Sequence, residues 1–226
     1  MKHRPVGYQK GFTLVEIAIV LVIIGLLLGG VLKGQEMIEN SKMKSIVSDM
    51  KAIQVSYNAY LDRYKVIPGD ETAAVMTTRG WAGTLGPAVS NGVLAITVAQ
   101  TFTNGGDQAG FWRALRGSGV MTGDPAAPAT AAGLPTHGGG GLIGVTAGPA
   151  YGMAGPLVCA SNLSTKQAAG IDLMIDGAGA ANGTGSLRAA TTAAPPPLAP
   201  TVGAPPATPY AETTVTRWTV CMAISS

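Results

Sequence analysis

Charge is scarce in this chain of 226 residues: Asp, Glu, Lys and Arg together make up 12% of it. With a hydrophobic fraction of 46%, the mean polarity is too low for a wholly disordered chain. Histidine and cysteine are rarer still, with two of each. Beyond residue 11 the one histidine is His137, and Cys159 and Cys221 do not form a CxxC pair. So small a set excludes a tetrahedral zinc site made from these residues. Outside the cytoplasm the two cysteines either close one disulfide, the more economical reading, or stay as separately buried thiols. No GxSxG elbow is present, and no carboxylate pair has a recognisable catalytic spacing. The expectation is a non-enzyme without cofactor or metal.

The formal charge of +3 is a poor guide to partners. Lys2, Arg4 and Lys10 lie in a short segment expected to be removed, and from residue 12 onward there are 12 basic and 12 acidic residues. A broad nucleic-acid surface is therefore not indicated. The length suits one domain plus an extended element. Abundant Ala, with 32 Gly and 15 Pro, predicts a thin core with many loops.

What the chain does have is a long apolar run. After the basic, polar stretch MKHRPVGYQKG come 21 residues, FTLVEIAIVLVIIGLLLGGVL, whose one charge is Glu16. As a helix this run covers about 30 Å, the hydrocarbon thickness of a bilayer. The basic flank keeps its N-terminal side in the cytoplasm. No small-residue cleavage site of the A-x-A kind closes the run, so the segment is expected to be retained. Glu16 either meets a positive group in a packed bundle of helices or reaches the headgroup zone from its place near the helix end.

The run Gly11-Phe12-Thr13-Leu14-Val15-Glu16, behind a basic leader and ahead of an apolar helix, resembles the processing motif of type IV pilins and type II secretion pseudopilins. The resemblance implies a membrane prepilin peptidase that cuts between Gly11 and Phe12 and methylates the Phe12 amine. It also implies that Glu16 registers each incoming subunit against the Phe12 amine of a neighbour. The implied partners are other pilin subunits, the peptidase, an inner-membrane assembly platform and, before assembly, membrane lipid. The implied location is the bacterial inner membrane, head in the periplasm, and then a filament. The sequence departs from many major pilins in having no Pro from residue 12 to residue 67. That departure raises two alternatives, a pseudopilin of a type II secretion system and a minor or tip pilin acting as a binding module. Arg113, Arg116 and Arg188 are the candidate phosphate contacts if such a module held DNA.

Apolar residues then recur at Ile46, Met50, Ile53, Tyr57, Tyr60 or Leu61, and Tyr64, in steps of three and four. Lys44, Asp49, Lys51, Gln54, Asn58 and Asp62 fill the other side. Ile67-Pro68-Gly69-Asp70 stops the helix. The fold class expected is α+β: a long N-terminal α-helix, its second half packed on a small antiparallel β-sheet with loop-rich decorations. The segments are a leader at 1–11, an assembly helix at 12–33, the soluble half of the helix at 34–66 and a head at 67–226.

Within the head, residues 108–116 read as a short helix burying Phe111, Trp112 and Leu115. Strands are expected at 142–146, 156–160, 186–190 and 210–224, the last alternating Trp218, Val220, Met222 and Ile224 onto one face. Ser164 and Gln167 form a capping box for a helix through Leu173. His137, before four glycines, reads as an exposed loop residue. Asp172, Asp176 and Asn182 lack the spacing of a calcium loop and read as a polar turn. The Pro-rich 191–209 reads as an extended surface loop.

Overall fold

The computed structural model describes residues 11–103, 105–128, 130–177, 183–192, 199–205, 209–210 and 217–224. Most of the leader, Asn182, residues 193–198 and 206–208 of the Pro-rich loop and part of the stretch before the last strand lie outside the described residues. Two compact units emerge, Met1–Ser41 and Lys42–Ser226. One helix, α1 (Leu14–Tyr64), contributes to both.

Among the described residues of the first unit α1 has no apolar partner. Every residue from Gly11 to Leu32 is exposed, Phe12 at 83% and Leu26 at 74%. Its apolar window has a mean hydropathy of 2.8, and α1 is the one helix among the described residues long and apolar enough to cross a membrane.

In the second unit α1 buries Met43, Ile46, Val47, Met50, Ile53, Tyr57 and Tyr60, the stripe its three–four spacing predicts. The stripe shares one core with the sheet and three further helices. These are α2 (Ala73–Thr78), α3 (Gly106–Gly117), β1 (Ile143–Thr146), β2 (Leu157–Leu163), α4 (Thr165–Asp176), β3 (Leu187–Thr192) and β4 (Arg217–Ala223). Tyr57 stacks on Phe111 of α3 with ring centroids 6.4 Å apart. Gly170 of α4 faces Met43 of α1, where a Cβ would collide with the Met43 sulfur.

The four strands form one antiparallel sheet in the order β1-β2-β4-β3. The last strand is therefore central, and it is buried on both faces: Val220 and Cys221 are each fully enclosed and Thr219 nearly so. One-sided alternation fails there because an interior strand covered above and below has no solvent face. The outer edge of β1 is closed by the segment around Ile96 and Thr101. Thr146 Oγ1 and the Ala147 amide both donate to the Ile96 carbonyl, and Gly144 lies so close to the Thr101 carbonyl that any side chain would strike it. Covering a strand edge in this way removes a pairing hazard.

Candidate processing and assembly site

Gly11, Phe12 and Thr13 precede the first turn of α1 and are exposed. The Gly11–Phe12 peptide bond is thus outside the helical ladder, in chain that a protease can take up in extended form. Thr13 is the residue that ends this stretch. Its hydroxyl accepts from the Glu16 amide at 3.3 Å, while Glu16 Oε2 accepts from the Thr13 amide at 2.8 Å and from the Thr13 hydroxyl at 2.7 Å. This is a capping box, Thr-x-x-Glu, and it fixes where the helix starts. Its spacing was visible in the sequence, but the apolar run drew attention to the charge of Glu16 and away from its geometry. In the isolated chain the carboxylate is committed to Thr13, three residues away.

In the second unit several residues take places other than those expected. Arg113, a candidate phosphate contact, is 1% exposed. Its guanidinium donates to the carbonyls of Ala82 (3.0 Å), Leu85 (3.1 Å), Trp81 (2.8 Å) and Ala73 (3.4 Å) and to Thr77 Oγ1 (3.1 Å). It directly follows Phe111 and Trp112 on α3, whose residues from Gln108 to Leu115 are all buried, so this stretch of the helix has no solvent face to carry it outward. Arg116 donates to the Gly133 carbonyl (2.9 Å) and Arg188 to the Tyr151 carbonyl (2.9 Å). All three arginines bind the chain's own backbone, and the idea of a phosphate surface built from them is withdrawn.

His137 is buried, contrary to the expectation of an exposed loop residue. The turn of glycines after it folds back over the imidazole: the Gly139 amide donates to Nδ1 at 3.0 Å, and Nε2 lies 2.9 Å from the Ser161 carbonyl. That pattern assigns the proton to Nε2 and leaves the ring neutral. Because Nε2 is taken by a carbonyl and the Ser161 hydroxyl by Leu142, His137 and Ser161 are not a base–nucleophile pair. Burial lowers the His137 pKa, opposed by the Ser161 carbonyl and the nearby Asp49 charge. A group whose folded pKa is depressed below the unfolded value binds fewer protons in the native state, so stability is lost as pH falls from the unfolded value toward the folded one. Chemical denaturation of the detergent-solubilised chain should therefore show its midpoint dropping between about pH 7 and pH 5, with a shallower drop in His137→Gln.

Asp176 accepts from the Ser186 amide (3.1 Å), the Ser186 hydroxyl and the Leu187 amide (2.9 Å), so it ties α4 to β3. Asp172 is fully buried and accepts from the Tyr210 hydroxyl at 2.7 Å. No cluster of three metal-ligating side chains occurs among the described residues. The capping box at Ser164 and Gln167 is present, and α4 continues three residues past Leu173.

Two carboxylates whose roles the sequence did not disclose stand in the turn after α1. Asp70 is 1% exposed and accepts from Ser90 Oγ (3.0 Å) and the amides of Asn91 (2.9 Å) and Gly92 (2.8 Å). Glu71 accepts from the Tyr60 hydroxyl and pairs with Arg79. The Arg79 guanidinium in turn lies over the rings of Tyr64 (4.5 Å) and Trp81 (5.1 Å). Burial first, and then the Glu71 carboxylate, push the Tyr60 hydroxyl pKa far up. The end of α1 is thus fastened by ionic, hydrogen-bonding and aromatic contacts together.

Cys159 and Cys221 are directly opposite in the β2–β4 register and form a disulfide. The alternative of two thiols does not hold, and no free cysteine remains among the described residues. The bridge closes a loop of 62 residues between two interior strands. In the chain-entropy account such a link contributes on the order of 4 kcal/mol. Cys159→Ser with Cys221→Ser should lower the unfolding free energy by roughly that amount, and unreduced wild-type protein should show no alkylatable thiol by mass spectrometry.

The chain thus joins an α+β unit to an apolar N-terminal helix long enough to cross a membrane, capped by Thr13 and Glu16 just after the Gly11–Phe12 bond. Residues 7–32 match the prokaryotic N-terminal methylation motif, the signature of type IV pilins and pseudopilins. No curated protein and no solved structure matches the chain.

Proposed function

We propose that the chain is a structural subunit of a type IV pilus-like filament. A prepilin peptidase cuts it between Gly11 and Phe12 and methylates the new amine, and the subunit assembles through its apolar helix with the help of an inner-membrane platform. The observation that carries this reading is the joint placement of the methylation motif and the exposed apolar first part of the helix. A lone anchor would need the apolar surface; it would not need the motif. The basic leader puts the N-terminus in the cytoplasm, and a buried disulfide suits a head in an oxidising compartment. Glu16 supplies the negative partner for the Phe12 amine of a neighbour. One observation favours a pseudopilin or minor pilin as second reading: α1 runs without proline past Lys33, where many major pilins carry a helix-breaking residue. The test is the N-terminus of filament or membrane material by mass spectrometry. A chain beginning at N-methylated Phe12 is expected; one that retains Met1 or begins elsewhere sinks the proposal.

A further inference from the structure

A groove of about 470 Å³ opens in the second unit beside α1, between Asp49, Ile53 and Ser56 on the helix and Val120, Met121 and Ile143 opposite. Asp49 is half-buried at its wall. Among the described residues it has no hydrogen bond and no ion pair. Its charge is felt by His137, whose hydrogen bonds to Gly139 and Ser161 leave the ring neutral. Arg116, the other charge in the lining, has its terminal nitrogens turned to the carbonyls of Gly133 and Asp124. A half-buried carboxylate that makes no ion pair, above an apolar floor, is a receptor for an ammonium group on an aliphatic stem.

The same helix carries the complement. Lys51 is exposed and, among the described residues, has no acidic partner; Val55, one turn on, is 66% exposed. Two residues along an α-helix is about 200° of rotation, so Lys51 points away from the groove that Asp49 lines. A groove on one side of α1 and its ligand on the other cannot pair isologously. They pair head to tail, the contact that gives an open helical array.

Building on the filament reading, we propose that this groove receives Lys51 and Val55 of a second copy, the lysine amine meeting Asp49 and the valine covering the apolar floor. The test is charge exchange in the full chain in assembling cells. Asp49→Lys and Lys51→Asp should each lower filament yield about tenfold, the scale of one lost close charge pair, and the double exchange should bring it back to within about twofold. In mixed assemblies of Asp49→Cys and Lys51→Cys, oxidation should link the two variants to one another. Each variant is scored only if its Cys159–Cys221 bridge resists alkylation, with Asp49→Asn as the milder replacement for a variant that fails. Wild-type yield from either single exchange, no recovery in the double, or cross-links of Asp49→Cys copies with themselves overturns this contact and leaves the filament reading standing. Wild-type protein that is never assembled overturns both.

Discussion

Replacing Glu16 by Ala should leave cleavage after Gly11 intact and lower the yield of filaments by at least about tenfold. Processed protein starting at Phe12 would accumulate in the membrane. The complication is that Glu16 also caps its own helix through Thr13, so the Ala variant loses a helix start along with a charge. Glu16→Gln separates the two. Glutamine can occupy the third position of a capping box, so the helix start survives while the charge is gone. If the charge recruits the neighbouring Phe12 amine, Gln and Ala fail alike, with the Gln variant unchanged in helix content by circular dichroism. Filaments from the Gln variant at wild-type yield would reduce Glu16 to a capping residue and overturn its assembly role.

On the proposed reading, assembly has to undo a contact made in the isolated chain. Both hydrogen bonds that Glu16 accepts come from Thr13, and a partner amine must share or displace them. A carboxylate already oriented by two donors is held at the helix end. Thr13→Val should therefore loosen the carboxylate and blur the start of the helix.

Patterns with one cause were legible from sequence. The α1 stripe from Ile46 to Tyr60 follows from a helix with one buried face, and Ser164–Gln167 from local capping chemistry. The strand around Cys159 was legible, although it runs on to Leu163, and the last strand followed from its alternation, with residues 211–216 of the range expected for it outside the described residues. The double burial of β4 was not legible, because alternation in a lone strand says nothing about how many neighbours it will have. Sheet order is a long-range property: β4 lies between β2 and β3 only once residues far apart in sequence have paired.

The head's polar interior was the least legible part. Asp70, Glu71, Arg113 and His137 are all buried, although Asp, Glu and Arg are residue types normally assigned to the surface and His is intermediate. What brings them inside is the shortage of regular structure. A head with many loops has many carbonyls and amides outside helices and strands, and these need side-chain partners. Asp70 supplies acceptors to the loop at Asn91, His137 bridges the glycine turn to Ser161, and Arg113 gathers carbonyls from the loop after α2. The glycine and proline content that predicted a thin core predicts this demand as well, but it does not say which polar side chain meets it.

Arg113→Met should be the most damaging single substitution in the head. The guanidinium donates to four main-chain carbonyls and one threonine hydroxyl across residues 73–85, and none of these recorded partners is a carboxylate. Burial lowers its pKa, but the group stays charged because an arginine starts so high. Carbonyl dipoles therefore stand in for a counter-ion. Methionine fills most of the volume and removes every donor, leaving the carbonyls of Trp81, Ala82 and Leu85 without the side-chain partner that held them. Each such loss is worth about 1–3 kcal/mol when the group stays dry, and water reaching the loop offsets part of it, so a net loss of roughly 3–5 kcal/mol is expected. Arg113→Lys keeps the charge with fewer, unforked donors and should fall in between. Equilibrium denaturation of the three proteins, with the disulfide intact, should rank them wild type, Lys, Met. A Met variant as stable as wild type would mean that the carbonyl cluster is hydrated and Arg113 is dispensable. Limited proteolysis adds an independent reading, since the segment from Trp81 to Leu85 should be cut first in the Met variant if Arg113 is what holds it down.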